Sequence, residues 1–248
     1  MNVRSNKTWV AFDLGDHLFA GTTVRTEGAE YALHTAENDQ EYRAAVRARL
    51  ALSEKTGFPS LVTLRQTHSC LVLRVDGDNL SNYLADPLIE GDGLYTSLPG
   101  VLLGILTADC LPVFITDSEG SFAGIVHAGR AGVEKGIHLE LARKVREDFG
   151  IAPFDLRVFV GPHIRACCYE VGPETAEGWS AKYVEEHEGR LYLKLERRVM
   201  DELADSGVPT EALRSCGYCT RCSEKPSFWS YRAGHRKERM LSFIGRAG

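Results

Sequence analysis

Eight short runs rich in Val, Ile, Leu and Phe recur along the chain, at residues 8–12, 61–64, 70–75, 101–106, 113–116, 122–126, 156–160 and 240–244. Apolar runs this short, bounded by turn residues, suit strands rather than helices. Four segments between them carry helical patterning. The first, residues 39–55, opens after Asn38 with Glu41 three residues on, the pattern of a capping box. The second, residues 133–149, follows Gly132 and is halted by Gly150 and Pro153; residues 173–183 and 196–206 complete the set, the last ended by Gly207 and Pro209. Strands and helices mixed over the full length predict an α+β or α/β fold, and periodicity alone leaves the strand pairing open. No linker, repeat or shift of composition divides the 248 residues, so one domain over 1–248 is expected.

A chain of this length buries roughly 70% of its open-chain surface, so it needs no disulfide or metal staple to hold a core. Its 29 basic and 34 acidic residues give a net charge of -5. Neither sign forms long blocks, which argues against a dedicated nucleic-acid or membrane-surface binder and for a small-molecule partner. With 44% hydrophobic and 25% charged residues, a disordered or collagen-like chain is excluded. The longest apolar stretch, 101–116, is broken by Asp109 and Pro112 and is too short to span a bilayer. Arg4 and Lys7 precede only residues 8–12 before Asp13, too little for a signal peptide, and a cytoplasmic location is expected.

Three possible metal ligands stand at or just past the ends of apolar runs: His68, Cys110 and His127. Two imidazoles and one thiolate suit Zn²⁺, and three protein ligands leave a fourth tetrahedral position for water or substrate, as in catalytic rather than structural zinc sites. The competing reading is two hydrogen-bonded histidines and a packed thiol. Asp109, directly before Cys110, could orient a ligand or carry a proton, or could be an ordinary turn carboxylate. Residues 122–136 read as strand, Gly-rich turn and helix. Backbone N–H groups after Gly129, with Arg130 in the turn, would favour an anion, although the absence of G-K-[ST] excludes a P-loop. A plain strand-to-helix turn is the alternative.

Seven cysteines without an export signal point to packing, metal or nucleophilic roles rather than a disulfide framework. Cys216, Cys219 and Cys222 form a C-x-x-C-x-x-C run, but a C-x-x-C knuckle needs a second pair, and adjacent Cys167 and Cys168 make awkward partners. Free thiols packed in a C-terminal loop are therefore expected. His138-x-Glu140 fails the nucleoside-deaminase signature, since Ser215 stands where Pro should precede the first thiol.

Taken in order, RQTHS (65–69), GDGLYTSLPGVLLGILTADCLPV (91–113), VHAGRAGVEKGI (126–137), VGPHIRACCYEVG (160–172), CTRC (219–222) and FWSYR (228–232) resemble the laccase-domain, YfiH-like family from about residue 40 to the C-terminus. The resemblance implies an α+β, single-domain, layered α/β/β/α core. It also implies that His68, Cys110 and His127 hold a zinc ion. Members are known as purine nucleoside phosphorylases that also split methylthioadenosine and deaminate adenosine, as peptidoglycan editing factors and, earlier, as multicopper polyphenol oxidases. A multicopper site needs many imidazoles, largely in H-x-H pairs; this chain has eight histidines and no two are two apart, which disfavours the oxidase name.

The chain departs from the family pattern in four places. HAGWRG becomes HAGRAG, with Arg130 for Trp and Ala131 for Arg; the N-terminal G-x-S…SLN segment is not recognisable around residues 21–35; an Asn-Arg pair becomes Val46-Arg47; and the Arg-Arg after Ser-Tyr becomes Arg232-Ala233. The implied activity is zinc-dependent phosphorolysis of adenosine, inosine, guanosine or methylthioadenosine, with adenosine deamination as a companion. The expected phosphate and substrate contacts are Arg47, Gln66, Gly129 and Arg130, around a catalytic group of His68, Asp109, Cys110 and His127. The rivals are a peptidoglycan-precursor editing hydrolase with Cys110 as nucleophile, a polyphenol oxidase and a non-catalytic zinc-binding module.

Overall fold

Strands that alternate between two apolar environments are what this pattern of short runs produces. The computed structural model describes residues 3–26, 31–33, 36–85 and 88–248. In chain order the strands are β1 (Val3–Ser5), β2 (Trp9–Phe12), β3 (Leu18–Thr23), β4 (Ser60–Thr63), β5 (Val72–Arg74), β6 (Gly93–Thr96), β7 (Val101–Thr107), β8 (Leu111–Asp117), β9 (Ala123–Ala128), β10 (Leu156–Val160), β11 (Glu170–Val171), β12 (Val184–His187), β13 (Arg190–Leu193), β14 (Leu213–Ser215) and β15 (Met240–Arg246). The helices are α1 (Asp39–Thr56), α2 (Leu80–Ala85), α3 (Arg130–Glu134), α4 (Ile137–Phe149), α5 (Pro173–Ala176) and α6 (Leu195–Asp205).

One sheet runs β1-β2-β3-β15-β7-β4, a second β14-β10-β8-β9-β6-β5, and a small third β11-β13-β12. The side-chain period of two sorts each strand between layers. On β7, Val101, Leu103 and Ile105 enter the core between the two large sheets, while Leu102 and Leu106 face outward against Leu52 of α1. On β8, Phe114 points between the sheets, where it meets Phe12 and Phe159, and Leu111, Val113 and Ile115 point outward to Leu141 and Val145 of α4 and Val199 and Leu203 of α6. The layers are therefore α1, sheet, sheet, and α3 with α4 and α6, the α/β/β/α order expected from the sequence.

All eight apolar runs fall on strands. Strands β1, β3, β6 and β11–β14 escaped sequence reading because they are short, polar or interrupted by Gly. The helix expected at 133–149 is divided: α3 starts at Arg130, and Gly136, in the left-handed region at φ 75, separates it from α4. The segment expected at 173–183 forms only α5 and a separate turn of 3-10 helix at Ala181–Tyr183. Part of the segment 21–35, residues 27–30 and 34–35, lies outside the described residues.

Sheet pairing carries the candidate ligands to one end of the molecule. Strand β4 runs parallel to β7, with Thr63 opposite Gly104, so the chain leaving β4 reaches His68 near the exit of β7. β7 passes through Asp109 and Cys110 into β8, crossing from one sheet to the other. β8 pairs antiparallel with β9, with Leu111 opposite Ala128 and Pro112 opposite His127.

Candidate active site

His68, Cys110 and His127 converge, their ligand atoms all within 4.8 Å of one another. The Cys110 Sγ is 3.9 Å from His68 Nε2, and the two imidazole rings stand edge to face with centroids 4.7 Å apart. Gly129 makes this approach possible: a Cβ there would lie 2.9 Å from Cys110 Sγ and 2.9 Å from His68 Cδ2.

Asp92, fully buried just before β6, organises the group. Its carboxylate accepts hydrogen bonds from the backbone N–H groups of Thr67 (3.1 Å), His68 (3.1 Å) and Ser69 (2.7 Å) and from the Ser69 hydroxyl (2.6 Å). These bonds hold the turn in which His68 takes a left-handed conformation at φ 56. The same carboxylate lies 2.8 Å from His127 Nδ1. An ionised carboxylate can only accept, so Nδ1 carries a proton and Nε2 is the nitrogen that would present its lone pair to a metal on losing its own proton, the arrangement that orients metal-binding histidines. Burial pushes the Asp92 carboxyl up, but its bonds from His127 and Ser69 outweigh this and hold it well below the usual carboxylate range. Sequence reading did not single out Asp92. Its signal is the G-D-G triplet, in which a Cβ at Gly93 would meet Val126 at 2.8 Å and Val72 at 2.9 Å, so the strand start can lie deep in the core.

Burial pushes the Cys110 thiol up, and the adjoining His127 and His68 outweigh it, holding the thiol down at about 6. Burial likewise opposes charge on His127, while Cys110 and Asp92 raise it to about 9. Without a metal the two form a thiolate–imidazolium pair. The residues fit a borderline-soft ion, with two imidazoles, one thiolate, an acidic group behind one imidazole and no side chain at Gly129 to fill the space between them.

The triad opens into a cavity of about 420 Å³, lined also by Gln66, Asp109, Arg130, Tyr169, Arg232 and Arg239. Arg130 is paired with Glu134 at 2.7 Å. Arg232 donates to the Glu170 carbonyl at 2.8 Å and lies over the Tyr169 ring, and Arg239 donates to the carbonyls of Arg236 and Glu238. Among the described residues neither Arg232 nor Arg239 has a carboxylate within ion-pair distance. The Tyr169 hydroxyl is pushed up by burial and by the nearby Cys110, so it stays protonated.

Several expected roles change in the folded chain. Gln66 reaches the cavity, but its amide is already engaged at both ends: it donates to the Leu106 carbonyl at 2.8 Å and accepts from the Leu106 N–H at 2.7 Å, acting as an extra rung beside β7. Asp109, left-handed at φ 95, accepts from the Thr220 hydroxyl at 2.7 Å and the Arg232 N–H at 2.8 Å, so it braces the segment bearing Arg232. Arg47 lies on α1 in a different cavity with Thr8, Tyr31 and Lys55, away from the triad. Gly129 serves by lacking a side chain, and Arg130 does line the cavity. Cys216, Cys219 and Cys222 are free thiols as expected, and Cys219 and Cys222 converge with Cys167 and Cys168 into a second group of possible ligands.

Residues 20–247 match the family described as multi-copper polyphenol oxidoreductase laccase. A purine nucleoside phosphorylase of Clostridium acetobutylicum is 34% identical over 98% of this chain and 99% of its own length. An adenosine deaminase from an unknown prokaryotic organism is 29% identical, with 80% of each chain covered. Among solved structures, YlmD from Geobacillus stearothermophilus superposes with a TM-score of 0.85 at 27% identity, covering 99% of this chain and 98% of that one.

Proposed function

Because this chain belongs to the multi-copper polyphenol oxidoreductase laccase family, we propose that it is a zinc-dependent purine nucleoside phosphorylase with its centre at His68, Cys110 and His127. The observation that carries the reading is the convergence of two imidazoles and a thiolate at the floor of a cavity walled by Arg130, Arg232 and Arg239. A zinc ion held by those three residues would supply an open coordination position for polarising substrate oxygen or activating water.

Arg232 and Arg239 grip phosphate, since a guanidinium offers paired donors matched to its oxygens. The rings of Tyr169 and Tyr231 bound the space for the purine. A phosphate oxygen forms a bond to C1′ of the ribose, and the C1′–N9 bond breaks with its electron pair passing to the purine. The purine takes up a proton from the dihydrogen phosphate, and the protonated Tyr169 hydroxyl is a hydrogen-bond donor to the departing base at the cavity wall. Asp109 holds Arg232 in place rather than moving the proton, because both of its carboxylate oxygens already accept hydrogen bonds. Positioning and electrostatics supply the rate enhancement.

Deamination of adenosine, in which water adds at C6 and ammonia leaves, is a second reading favoured by the adenosine deaminase relative. The oxidase reading has less support: among the described residues the groups able to hold a metal are this triad and a cluster of thiols, and neither is the imidazole-rich set that several copper ions need.

The test is chromatography of the purified protein incubated with adenosine, inosine and methylthioadenosine, with and without phosphate. Phosphate-dependent release of free base is expected. Absence of base release and of deamination would overturn the reading, as would turnover that survives zinc removal and is abolished by alkylation of Cys110, which would indicate a cysteine hydrolase.

A further inference from the structure

The geometry points to a second metal site, separate from the triad: Cys167, Cys168, Cys219 and Cys222 form a closed thiolate centre for a single zinc-class divalent ion. The inference is independent of the nucleoside reading. All four sulfurs lie within 4.8 Å of one another, and Cys167 Sγ is 3.7 Å from Cys222 Sγ. Four thiolates around one ion at about 2.3 Å place tetrahedral neighbours about 3.8 Å apart, whereas a disulfide would bring two sulfurs to about 2.05 Å. In an iron–sulfur cluster the thiolates are spread over two or four sulfide-bridged irons, so at least some pairs lie farther apart than two bonds around one ion can reach. The span here matches a mononuclear site. An all-sulfur donor set also selects a soft or borderline ion over magnesium or calcium.

Chain folding removes the difficulty that adjacent cysteines pose. The N–H groups of Cys168 and Tyr169 both bond to the Arg165 carbonyl, at 2.8 and 2.9 Å, closing a tight turn that turns both thiols of the pair toward the opposite loop. That loop is the C-x-x-C run of Cys219 and Cys222, closed by the Ser223 N–H on the Cys219 carbonyl at 3.0 Å and the Cys219 N–H on the Ser223 hydroxyl at 3.1 Å. The two loops are fastened side by side: His163 and Cys219 form a parallel bridge, Thr220 N–H bonds to the His163 carbonyl at 2.9 Å, and Arg165 donates to the Gly217 carbonyl at 2.8 Å. Cys216 stands apart and packs against the core between the sheets.

Four protein ligands leave no open position, so the role is structural. The loop closed at Cys167 and Cys168 carries Ile164 and Tyr169 to the active-site cavity, and the knuckle carries Thr220, whose hydroxyl bonds to Asp109 beside Cys110. The ion would staple the wall of the cavity from behind. On binding, Zn²⁺ displaces the thiol protons into solvent.

The experiment is metal analysis of the full chain purified under reducing conditions, combined with cobalt substitution. Two zinc ions per chain are expected in wild type, one in Cys219→Ser and one in His127→Ala. Cobalt-loaded His127→Ala should keep the intense sulfur-to-cobalt bands and strong d–d absorption of a tetrahedral thiolate site. Alkylation of native His127→Ala should spare these four cysteines until a chelator is added, a readout that needs no cysteine variant to fold. One zinc in wild type, unchanged in Cys219→Ser, would overturn the assignment. So would stoichiometric iron with inorganic sulfide, a Cys167–Cys222 disulfide in the reduced preparation, or alkylation that is indifferent to the chelator.

Discussion

Gly129 lacks a side chain because the space its Cβ would take belongs to Cys110 Sγ and His68, each 2.9 Å away. Gly129→Ala forces two ligands apart, and overpacking of about 1–3 kcal/mol corresponds to about a 5- to 160-fold loss of affinity at the triad. Competition with a chromophoric chelator measures it, and an unchanged affinity would show that the three ligands are not held as a group. Residue chemistry explains how much of the site is legible in the sequence. Imidazole and thiolate declare themselves by type, so His68, Cys110 and His127 stand out at strand ends. The carboxamide of Gln66 and the carboxylate of Asp109 are equally conspicuous, but a sequence does not show that Leu106, Thr220 and Arg232 already occupy their polar atoms. Asp92 is hidden for the opposite reason: nothing about an isolated Asp signals that six donors converge on it. Arg47 stands out as the basic member kept from the family's Asn-Arg pair, and its place in a separate cavity beside Thr8 and Tyr31 follows from packing that the sequence leaves open.

Among the elements, helix α1 was legible from its cap. Asn38 Oδ1 accepts the Glu41 N–H at 3.0 Å, and Gly57 ends the helix in the left-handed region at φ 77 with its N–H on the Ser53 carbonyl. Asn38→Ala should cost about 1 kcal/mol of stability, read by urea unfolding. The turn at Gly136 was less legible, since helical periodicity passes through it and only the need for positive φ divides α3 from α4. The start of α6 carries a pH dependence. Burial pushes the Glu196 carboxyl up, but His163, Ser215 and Arg165 facing it outweigh that and lower it from its ordinary 4.5 to about 2. A depressed carboxyl stabilises the fold above its unfolded value, and that contribution is lost as pH falls from about 4.5 through about 2. With its side chain only 19% exposed, the contribution is about 2–3 kcal/mol at neutral pH. Glu196→Gln should therefore be less stable by that amount at pH 6, with the difference vanishing near pH 2. A constant difference across this range would place the effect in packing instead.

At the scale of the whole molecule, the triad straddles the seam between the two large sheets. His68 follows β4 of the first sheet, His127 lies on β9 of the second, and Cys110 sits where the chain passes from β7 to β8. The layer order was legible only through the family resemblance, since periodicity leaves strand pairing open; the structure shows strand alternation sorting side chains into three apolar environments. The meeting of the two cysteine loops was not, because it depends on β10 and β14 lying side by side in parallel, a pairing between segments more than fifty residues apart. An ion at the triad would bridge both sheets, and the ligands come together only when the sheets dock. Binding energy there is therefore also energy of sheet docking, and stability becomes linked to free zinc. At free zinc about 100 times the dissociation constant the linkage is worth about 2.7 kcal/mol, or about 5–11 °C in Tm for a chain of this size. Protein stripped of metal and titrated with zinc should show that rise in wild type beyond whatever rise His127→Ala shows, so the difference between them reports the triad alone. Equal rises in the two proteins would mean that the triad plays no part in holding the sheets together.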